Sequence, residues 1–375
     1  MTNRECVQAI LHYQPCDRIP VVSFGFWTET LRKWRDEGHI PPHMVYDRPM
    51  ADVEYDAVNA MLGFDFNWNS TAGVGQYLLE PTFPEAVIEE FPDGKQKVLD
   101  KEGNYVIVKP GIISIPSGAG HTLMDRDSWV THYLPRLSYG KEVVDHAYFD
   151  QLKQENNTRE NPLGLFCGSM LGRIRNWLGL ENLAYLGIDD PELLEEMVDA
   201  VGSLMYRQVA YLLTLGVRFD YGHFWEDTCG NDGPLIMPQQ LRELAGPHYQ
   251  RITTLLKQHD IDIVTVDCDG RIDRFVPIWL ECGVNTMFPI EVGYWNASIA
   301  PWRAQYGKDL RGVGGMNKKV FSMDYAAVDR ELERLKPLVE LGGYIPCPDH
   351  RIPPDGKWEN VQYYCQKFRE VFQRI

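Results

Sequence analysis

The second half of the sequence alternates short apolar runs with longer amphipathic segments, and this pattern constrains the fold more than any other feature. From about residue 163, six strand-like runs follow one another: LGLFCG, VRFDYGHF, IDIVTVD, GVNTMFPI, DLRGVGG and GGYIPC. Helical patterns lie between several of them, over 191–214, 239–259, 324–340 and 358–374. Strands that alternate with helices pair in parallel through right-handed crossovers. The pattern therefore predicts a parallel sheet covered by helices.

Two earlier runs, RIPVVSF and FDFNW, bring the number of strands to eight, which is the number that closes a (β/α)8 barrel. A doubly wound sheet is the alternative, but no GxGxxG follows the first strand. We therefore predict an α/β fold, a single TIM-barrel domain over residues 1–375. Thr2 and Glu5 form the pattern of a capping box at the start of an N-terminal helix.

One early segment does not follow the strand–helix rhythm. Residues 86–116 contain two turn signals, Pro-Asp-Gly-Lys and Lys-Glu-Gly-Asn, between runs of alternating side chains. This pattern is typical of antiparallel hairpins, so we expect a small antiparallel β excursion inserted in the N-terminal third. Residues 150–162 are polar and are predicted to form a loop.

The composition limits the classes of partner. Acidic residues number 53 and basic residues 37, a formal net charge of −16. This charge argues against nucleic acid and against anionic membrane surfaces. No apolar run reaches the roughly 18 residues of a membrane span, and the N-terminus lacks the apolar stretch of a signal peptide. We expect a cytoplasmic protein whose eight cysteines remain thiols, and no CxxC motif occurs among them.

The fifth predicted strand ends in VTVDCDG, where two carboxylates follow a buried run. Active sites of TIM barrels lie at the carboxyl ends of the strands. Because side chains alternate, Asp267 and Asp269 share a face and Cys268 points away. His350, after the eighth strand, lies where it could reach across the barrel mouth. We therefore predict a metal site of Asp267, Asp269 and His350, suited to zinc or a harder divalent ion. Asp269 with Gly270 can also be read as a turn or a helix cap.

Other strand ends supply candidate substrate contacts. Trp27 and Trp225 lie near predicted strand ends, where an aromatic pocket would bind a flat apolar ligand. Cys347 ends the eighth strand and is a third candidate contact. The alternatives are that both tryptophans fill the core and that Cys347 is a small buried hydrophobic residue.

Three segments resemble a known superfamily. RECVQAILHYQPCDRIPV is similar to the opening of uroporphyrinogen decarboxylase-like proteins, in which R-E-x-V-x-x-A-L is followed by P-D-R-V-P-V. GPLIMPQQLRELAGPHYQRIT and GGYIPCPDHRIPPDGKWENVQYY resemble later segments of the same proteins. The resemblance covers most of the chain and implies a single barrel. The decarboxylases carry an R-Q-A-G-R loop after the first strand, whereas this chain has SFGFWTETLRKW, so a porphyrinogen substrate is disfavoured.

The other branch of the superfamily comprises corrinoid-dependent methyltransferases. Its methylcobalamin:thiol enzymes bind zinc through H-x-C and a distant cysteine. Their H-x-C-G falls on residues 267–270 of this chain, and the distant cysteine falls at or near His350, with Cys347 close by. The ligands thus change from sulfur to oxygen and nitrogen. That change favours a Lewis acid for an oxygen substrate over activation of a thiol.

The resemblance implies an O-demethylating methyltransferase. A methyl group would pass from a small molecule, a phenyl methyl ether, to the Co(I) corrinoid of a partner protein. Zinc is the expected resident metal, and Glu226 or His223 would protonate the leaving oxygen. The alternatives are a metal-dependent decarboxylase, with Arg173, Arg175 and Arg351 holding substrate carboxylates, a methylcobalamin:thiol methyltransferase, and a non-catalytic ligand-binding protein.

Further expectations concern the shape of the site. Because a corrinoid must approach the methyl carbon in line, we expect a broad, open mouth. His223 can alternatively be a hydrogen-bonded core residue. Glu226 and Asp227 are adjacent, so they cannot both face inward. A homodimer is compatible with the sequence.

Overall fold

The computed structural model describes residues 1–44, 56–75, 77–109, 117–138, 143–293 and 295–373. Its strands are β1 Val22–Ser23, β2 Phe66–Asn67, β3 Thr71–Ala72, β4 Ala86–Glu90, β5 Gln96–Leu99, β6 Asn104–Val108, β7 Ser117–His121, β8 Gly164–Gly168, β9 Tyr221–Trp225, β10 Cys229–Gly230, β11 Gly233–Pro234, β12 Val264–Asp267, β13 Thr286–Phe288, β14 Arg311–Met316 and β15 Tyr344–Pro348.

Its α-helices are α1 Asn3–Leu11, α2 Thr28–Asp36, α3 Asp56–Leu62, α4 Arg126–Ser128, α5 His146–Gln154, α6 Leu171–Leu178, α7 Leu180–Asp189, α8 Pro191–Thr214, α9 Pro238–Gln240, α10 Gly246–Gln258, α11 Val276–Glu281, α12 Ile299–Tyr306, α13 Tyr325–Glu340 and α14 Trp358–Phe372. The 3-10 segments are Pro42–Met44, Leu134–Arg136, Glu155–Asn157, Gly307–Asp309 and Lys318–Ser322, and the π-helical segments are Trp129–Tyr133 and Leu241–Ala245.

The parallel strands close into a barrel. Seven of them form one sheet in the order β15-β14-β13-β12-β9-β8-β3, and β1 pairs in parallel with β2. β2 and β3 are two halves of one strand position, because β2 pairs with β1 and β3 with β8. The ring closes beyond β1 and β15, where the Ile352 N–H donates to Gly25 O at 3.1 Å and the Trp27 N–H donates to Ile352 O at 3.2 Å. The predicted TIM-barrel class is confirmed.

Aromatic side chains fill the inside of the barrel. Trp68 stacks on Tyr221 with ring centroids 4.6 Å apart, and Phe24 lies 4.5 Å from Phe288. Residues at alternate positions face the surrounding helices instead, as Phe224 does against Tyr249 of α10 at 5.0 Å. The interior of the barrel is thus a packed core.

The antiparallel excursion is present. β4, β5, β6 and β7 form a separate sheet in that order. Its first two hairpins turn at the predicted signals, where Gly94 and Gly103 adopt φ of 80° and 84°. The excursion extends to His121, beyond the predicted end at 116. Residues 110–116 lie outside the described part of the chain.

The long helices match the sequence pattern closely, and the predicted polar loop does not. α8 spans the predicted 191–214, and α13 and α14 differ from their predicted ranges by at most two residues. The segment 150–162 begins in a helix, because α5 continues to Gln154. Asp145 caps α5, and Phe149 and Leu152, three residues apart, bury one face of it. Among the described residues, no helix has both the length and the hydropathy required to cross a membrane.

Candidate active site

The end of β12 directs its side chains alternately into the barrel and away from it. The Thr265 hydroxyl lies inside the barrel, 2.6 Å from His223 Nδ1 on the neighbouring strand β9. Asp267, two residues later, is buried with 7% exposure. Cys268 between the carboxylates is also buried, and its thiol lies against Cys229. The alternation predicted from the sequence therefore holds here.

Three carboxylates meet at the barrel mouth. One oxygen from each of Asp227, Asp267 and Asp269 lies within 4.8 Å of the other two. Asp227 closely follows β9, two residues beyond Trp225. The turn after β12 is fixed to it, because the Asp269 N–H donates to Asp227 Oδ1 at 3.0 Å. The structure thus brings together the two predicted aspartates and a third one.

His350 lies beside this group, next to Asp269. Its Nε2 lies 3.3 Å from Asp269 Oδ2, although β12 and β15 are separated by two other strands. The other oxygen, Asp269 Oδ1, is buried and has no hydrogen-bond partner among the described residues. We call Asp227, Asp267, Asp269 and His350 the mouth cluster. All three predicted metal ligands belong to it.

The electrostatics of the mouth cluster favour a bound cation. Burial, and next the nearby Asp269 carboxylate, raise the pKa of Asp227 to about 6. The same two causes raise the pKa of Glu291 to about 7. Carboxylates that repel one another in a poorly hydrated site are relieved by a metal or by shared protons. The orphaned Asp269 oxygen provides a further acceptor for a metal.

A glycine and Glu291 shape the turn that carries Asp269. Gly270 adopts φ of 93°, and a Cβ there would meet the Cys229 carbonyl carbon at 2.6 Å. Its N–H donates to Glu291 Oε2 at 2.9 Å. Only glycine fits this conformation and this space. Asp269 and Gly270 therefore form a turn, and the same turn places the Asp269 carboxylate in the mouth cluster.

The donor set is oxygen and nitrogen. Cys347 has no exposed surface, and burial raises the pKa of its thiol well above the usual range. Burial likewise raises the pKa of Cys268, whose thiol lies against Cys229. Neither thiol is brought to the mouth cluster. Such a donor set suits zinc or a harder divalent ion, as the sequence predicted. Cys347 is not placed where it would contact a substrate in the mouth.

An aromatic series runs from the mouth into the barrel. Trp27, which is partly exposed, stacks on His350 with centroids 5.5 Å apart and an interplanar angle of 24°. The Phe24 ring lies 5.2 Å from the His350 ring and 4.5 Å from the ring of Phe288. The His223 ring lies 6.2 Å from Phe288. His350 thus contacts both the candidate metal ligand Asp269 and the aromatic side chains Trp27 and Phe24.

Trp225 forms a second wall, with cations above it. It is partly exposed, and the guanidinium groups of Arg173 and Arg175 lie 5.9 Å and 5.8 Å from its ring centroid. Arg173 also forms an ion pair with Glu102, which lies in the turn between β5 and β6. The antiparallel excursion is therefore connected directly to the wall of the mouth.

Glu226 and His223, the predicted acids, lie in unlike surroundings. The fully buried Glu226 carboxylate accepts the N–H groups of Met170 and Gly172, each at 2.7 Å, at the start of α6. Burial raises its pKa to about 7. His223 is 4% exposed inside the barrel, and burial lowers its pKa to about 4. Glu226 thus faces the helices, and His223 is neutral at pH 7.

Asp349 holds the segment that carries His350. Its Oδ2 accepts the N–H groups of Val292 and Gly293 at 2.8 Å and 3.0 Å, and its Oδ1 accepts the Lys318 N–H at 3.1 Å. The loops after β13, β14 and β15 are joined at this one carboxylate. Sequence reasoning did not assign it a role, and its position depends on contacts distant in the chain.

Asp227 and Glu291 are two further site residues to which the sequence analysis assigned no role. The signal for Asp227 was present, because Tyr221, His223 and Trp225 alternate toward the barrel interior and Asp227 continues the same period. Glu291 closely follows the sixth barrel strand, so its place at the mouth was visible, although its contact with Gly270 was not.

Comparison with solved structures supports the fold. A methyltransferase from Methanosarcina mazei superposes with a TM-score of 0.61 and 15% identity, over 99% of this chain and 99% of that chain. A B12-independent methionine synthase from Shewanella sp. W3-18-1, in complex with selenomethionine, gives a TM-score of 0.48 and 11% identity, over 94% and 98% of the two chains. The first similarity shows a shared fold, and the second is too distant to carry an argument. No family model and no curated protein sequence matches the chain.

Proposed function

We propose that the protein is a metal-dependent methyltransferase that removes the methyl group of a small methyl ether, most simply a phenyl methyl ether, and passes it to the Co(I) corrinoid of a partner protein. The observation that carries the proposal is the mouth cluster, an oxygen-and-nitrogen donor set with an orphaned carboxylate oxygen beside a stacked tryptophan. The fold shared with a methyltransferase over nearly the whole chain supports the reaction class. The sequence resemblance to corrinoid-dependent enzymes supports the acceptor.

The residues at the mouth have distinct tasks in this proposal. Asp227, Asp267, Asp269 and His350 would hold the metal, for which zinc is the first candidate. When bound, the metal supplies a Lewis acid beside the oxygen that leaves. Trp27 orients His350 by stacking and offers its exposed part to the aromatic ring of the substrate.

The chemical step requires a good leaving group. The methyl carbon exchanges its bond to oxygen for a bond to cobalt, Co(I) supplies the electron pair, and the oxygen leaves as a phenolate. A phenol has a pKa near 10, so a phenolate leaves slowly at pH 7 unless it is stabilised. His223 is neutral there and can only donate its ring N–H as a hydrogen bond. Because the Glu226 carboxylate is held by α6, we assign it to positioning of strand β9, and the phenolate takes its proton from solvent.

The test combines metal analysis with an anaerobic assay. Protein reconstituted with zinc is mixed with cob(I)alamin and a methoxylated benzoate, and formation of methylcobalamin is followed by absorbance. We expect turnover that disappears with a chelator and in the D267A/D269A/H350A variant, which should also bind one equivalent of zinc fewer than wild type. Asp232→Asn is the matched control, since Asp232 is exposed in the turn between β10 and β11.

Three results would contradict the proposal. An unchanged number of zinc equivalents in the triple variant would remove the mouth cluster as a metal site. Methyl transfer to a free thiol without ether cleavage would indicate a thiol methyltransferase. Release of carbon dioxide from a carboxylated substrate would indicate the decarboxylase. The decarboxylase is the second candidate function because arginines that could bind a substrate carboxylate lie near the mouth. Two lie near Trp225, and the Arg351 guanidinium lies 5.8 Å from the Phe24 ring.

A further inference from the structure

A second group of metal-ligating side chains lies at the opposite end of the barrel. Cys6 is on α1, and Cys16 and Asp17 are in the segment that enters β1. This segment precedes the first barrel strand, so the group lies at the amino ends of the strands, away from the mouth cluster. The proposed methyl transfer uses none of these residues.

The sulfur–oxygen separations in this group fit those around a single zinc ion. Cys6 Sγ lies 3.3 Å and Cys16 Sγ 3.7 Å from the same atom, Asp17 Oδ1. The three donor atoms lie within 4.8 Å of one another. Tetrahedral zinc with Zn–S of about 2.3 Å and Zn–O of about 2.0 Å separates sulfur from oxygen by about 3.5 Å. The two measured separations bracket that value.

We propose that Cys6, Cys16 and Asp17 form a second metal site, a structural zinc site that fastens α1 to the entry of β1. Two thiolates and one carboxylate supply three ligands, and the fourth position is open to water. Cys6 is fully buried, whereas the Asp17 side chain is 52% exposed, so a metal can enter from solvent.

The charges around the site are compatible with binding. Both thiols must release a proton to solvent when the metal binds. Without metal, burial raises the pKa of the Cys6 thiol far above the usual range, and Arg18 acts in the opposite direction. The Met1 amine lies 2.8 Å from Asp17 Oδ2 and lowers the pKa of that carboxyl to about 2. The carboxylate is therefore already charged, and of the three ligands only the two thiols must lose protons.

The donor atoms distinguish this site from the mouth cluster. Cobalt(II) bound by thiolates has a sulfur-to-metal charge-transfer absorption in the near ultraviolet, and cobalt(II) bound by oxygen and nitrogen lacks it. The test is therefore a titration of the whole, reduced protein with Co2+. We expect one equivalent of Co2+ to bind with the thiolate charge-transfer band, and we expect Zn2+ to displace it. A few degrees of increase in Tm on adding Zn2+ should accompany it.

The variants separate ligation from folding. Cys16→Ser should abolish the thiolate band, and Asp17→Asn should weaken the cobalt affinity at least tenfold. Cys282→Ser changes a buried cysteine on another element and should leave the band unchanged. The D267A/D269A/H350A variant should also retain the band, so a failure of the proposed methyl transfer does not affect the outcome.

Any of three results would overturn the inference. The first is a folded, reduced wild-type protein that shows no thiolate band at several equivalents of Co2+. The second is a band of unchanged intensity in Cys16→Ser. If the two cysteines instead form a disulfide in air and bind no cobalt when reduced, the pair is a redox pair and the metal site is excluded.

Discussion

At the scale of single residues, one step along β9 decides which carboxylate reaches the mouth. Tyr221, His223 and Trp225 face the barrel interior, and Asp227 continues that period, whereas Glu226 faces α6. The sequence analysis recognised that Glu226 and Asp227 cannot both face inward, but it assigned the chemistry to Glu226, the one that faces α6. The parity of β12 was used, and there the predicted neighbours, Asp267 and Asp269, do meet. The alternation of side chains along one strand can thus be predicted from the sequence, but the residues they meet on other strands cannot.

The first prediction concerns the repulsion within the mouth cluster. The raised pKa of Asp227 means that the folded state binds more protons than the unfolded state between about pH 4 and pH 6. The free energy of unfolding of the metal-free protein therefore decreases as pH rises through this window, because the Asp227 carboxyl must then ionise in a buried site. We expect metal-free Asp227→Asn to be more stable than wild type by roughly 2 kcal/mol at pH 7.5 and equal to it at pH 4. Urea unfolding in chelator at both values measures this.

Zinc should reverse the sign of that difference, because wild type then gains binding energy that the variant has lost. The Asp227→Asn variant keeps a side-chain oxygen to accept the Asp269 N–H, so the turn itself is preserved. Asp93→Asn, on the exposed first hairpin, serves as the control and should show no reversal. A metal-free Asp227→Asn variant less stable than wild type at pH 7.5 would mean that the cluster carboxylates are not in conflict.

The second prediction concerns His223. Its pKa, lowered to about 4 by burial, means that protonation favours the unfolded state between pH 6.5 and pH 4. Stability should therefore fall as pH falls through this window, by on the order of 3 kcal/mol relative to His223→Gln. NMR titration of the imidazole should give a midpoint near 4. An imidazole midpoint near 6.5 would be incompatible with the buried, neutral ring.

At the scale of elements, local signals were sufficient for some features and insufficient for others. The hairpins of the excursion were predictable because each turn carries its own glycine, Gly94 or Gly103. The division of one barrel strand into β2 and β3 was not, because it depends on which neighbour each half pairs with. The helical start of 150–162 was missed because Phe149, at the buried face of α5, precedes the polar run.

The third prediction tests how the excursion supports the mouth. Glu102 and Arg173 are 14% and 16% exposed, so removing one partner leaves the other poorly hydrated. We expect Glu102→Ala to lower the free energy of unfolding by about 2–3 kcal/mol, measured by urea unfolding. Because Arg173 also lies over Trp225, KM should rise several-fold with little change in kcat.

The double variant E102A/R173M supplies the control for this pair. It removes both charges and should recover most of the stability, because no unpaired charge remains. KM should stay raised, since the Arg173 guanidinium no longer lies over Trp225 and only that of Arg175 remains there. Full recovery of KM in the double variant would show that the excursion acts on the mouth by another route.

At the scale of the whole molecule, the barrel was predictable and the composition of its mouth was predictable only in part. Eight strand signals and the helices between them determine the class of fold. The mouth cluster joins residues as distant as Asp227 and His350, and only the closed ring brings them within reach. The supports around it, such as the Asp349 carboxylate with its three N–H donors, depend on loop geometry that has no periodic signal.

The last prediction follows from the charge of the whole chain. A net charge of −16 gives a long-range field that attracts a partner with a basic rim and repels an acidic one. The field is screened over about 8 Å at physiological salt, so its effect on association falls as salt rises. We expect kcat/KM for methyl transfer to a corrinoid protein to fall severalfold between low and high salt. Free cob(I)alamin, which docks without a protein surface, should show little change and serves as the control. Stopped-flow measurements at constant pH and constant substrate concentration compare the salt dependence of the two acceptors, the corrinoid protein and free cob(I)alamin. A rate with the corrinoid protein that rises with salt would show that the partner presents an acidic face, and the electrostatic account of docking would then be wrong.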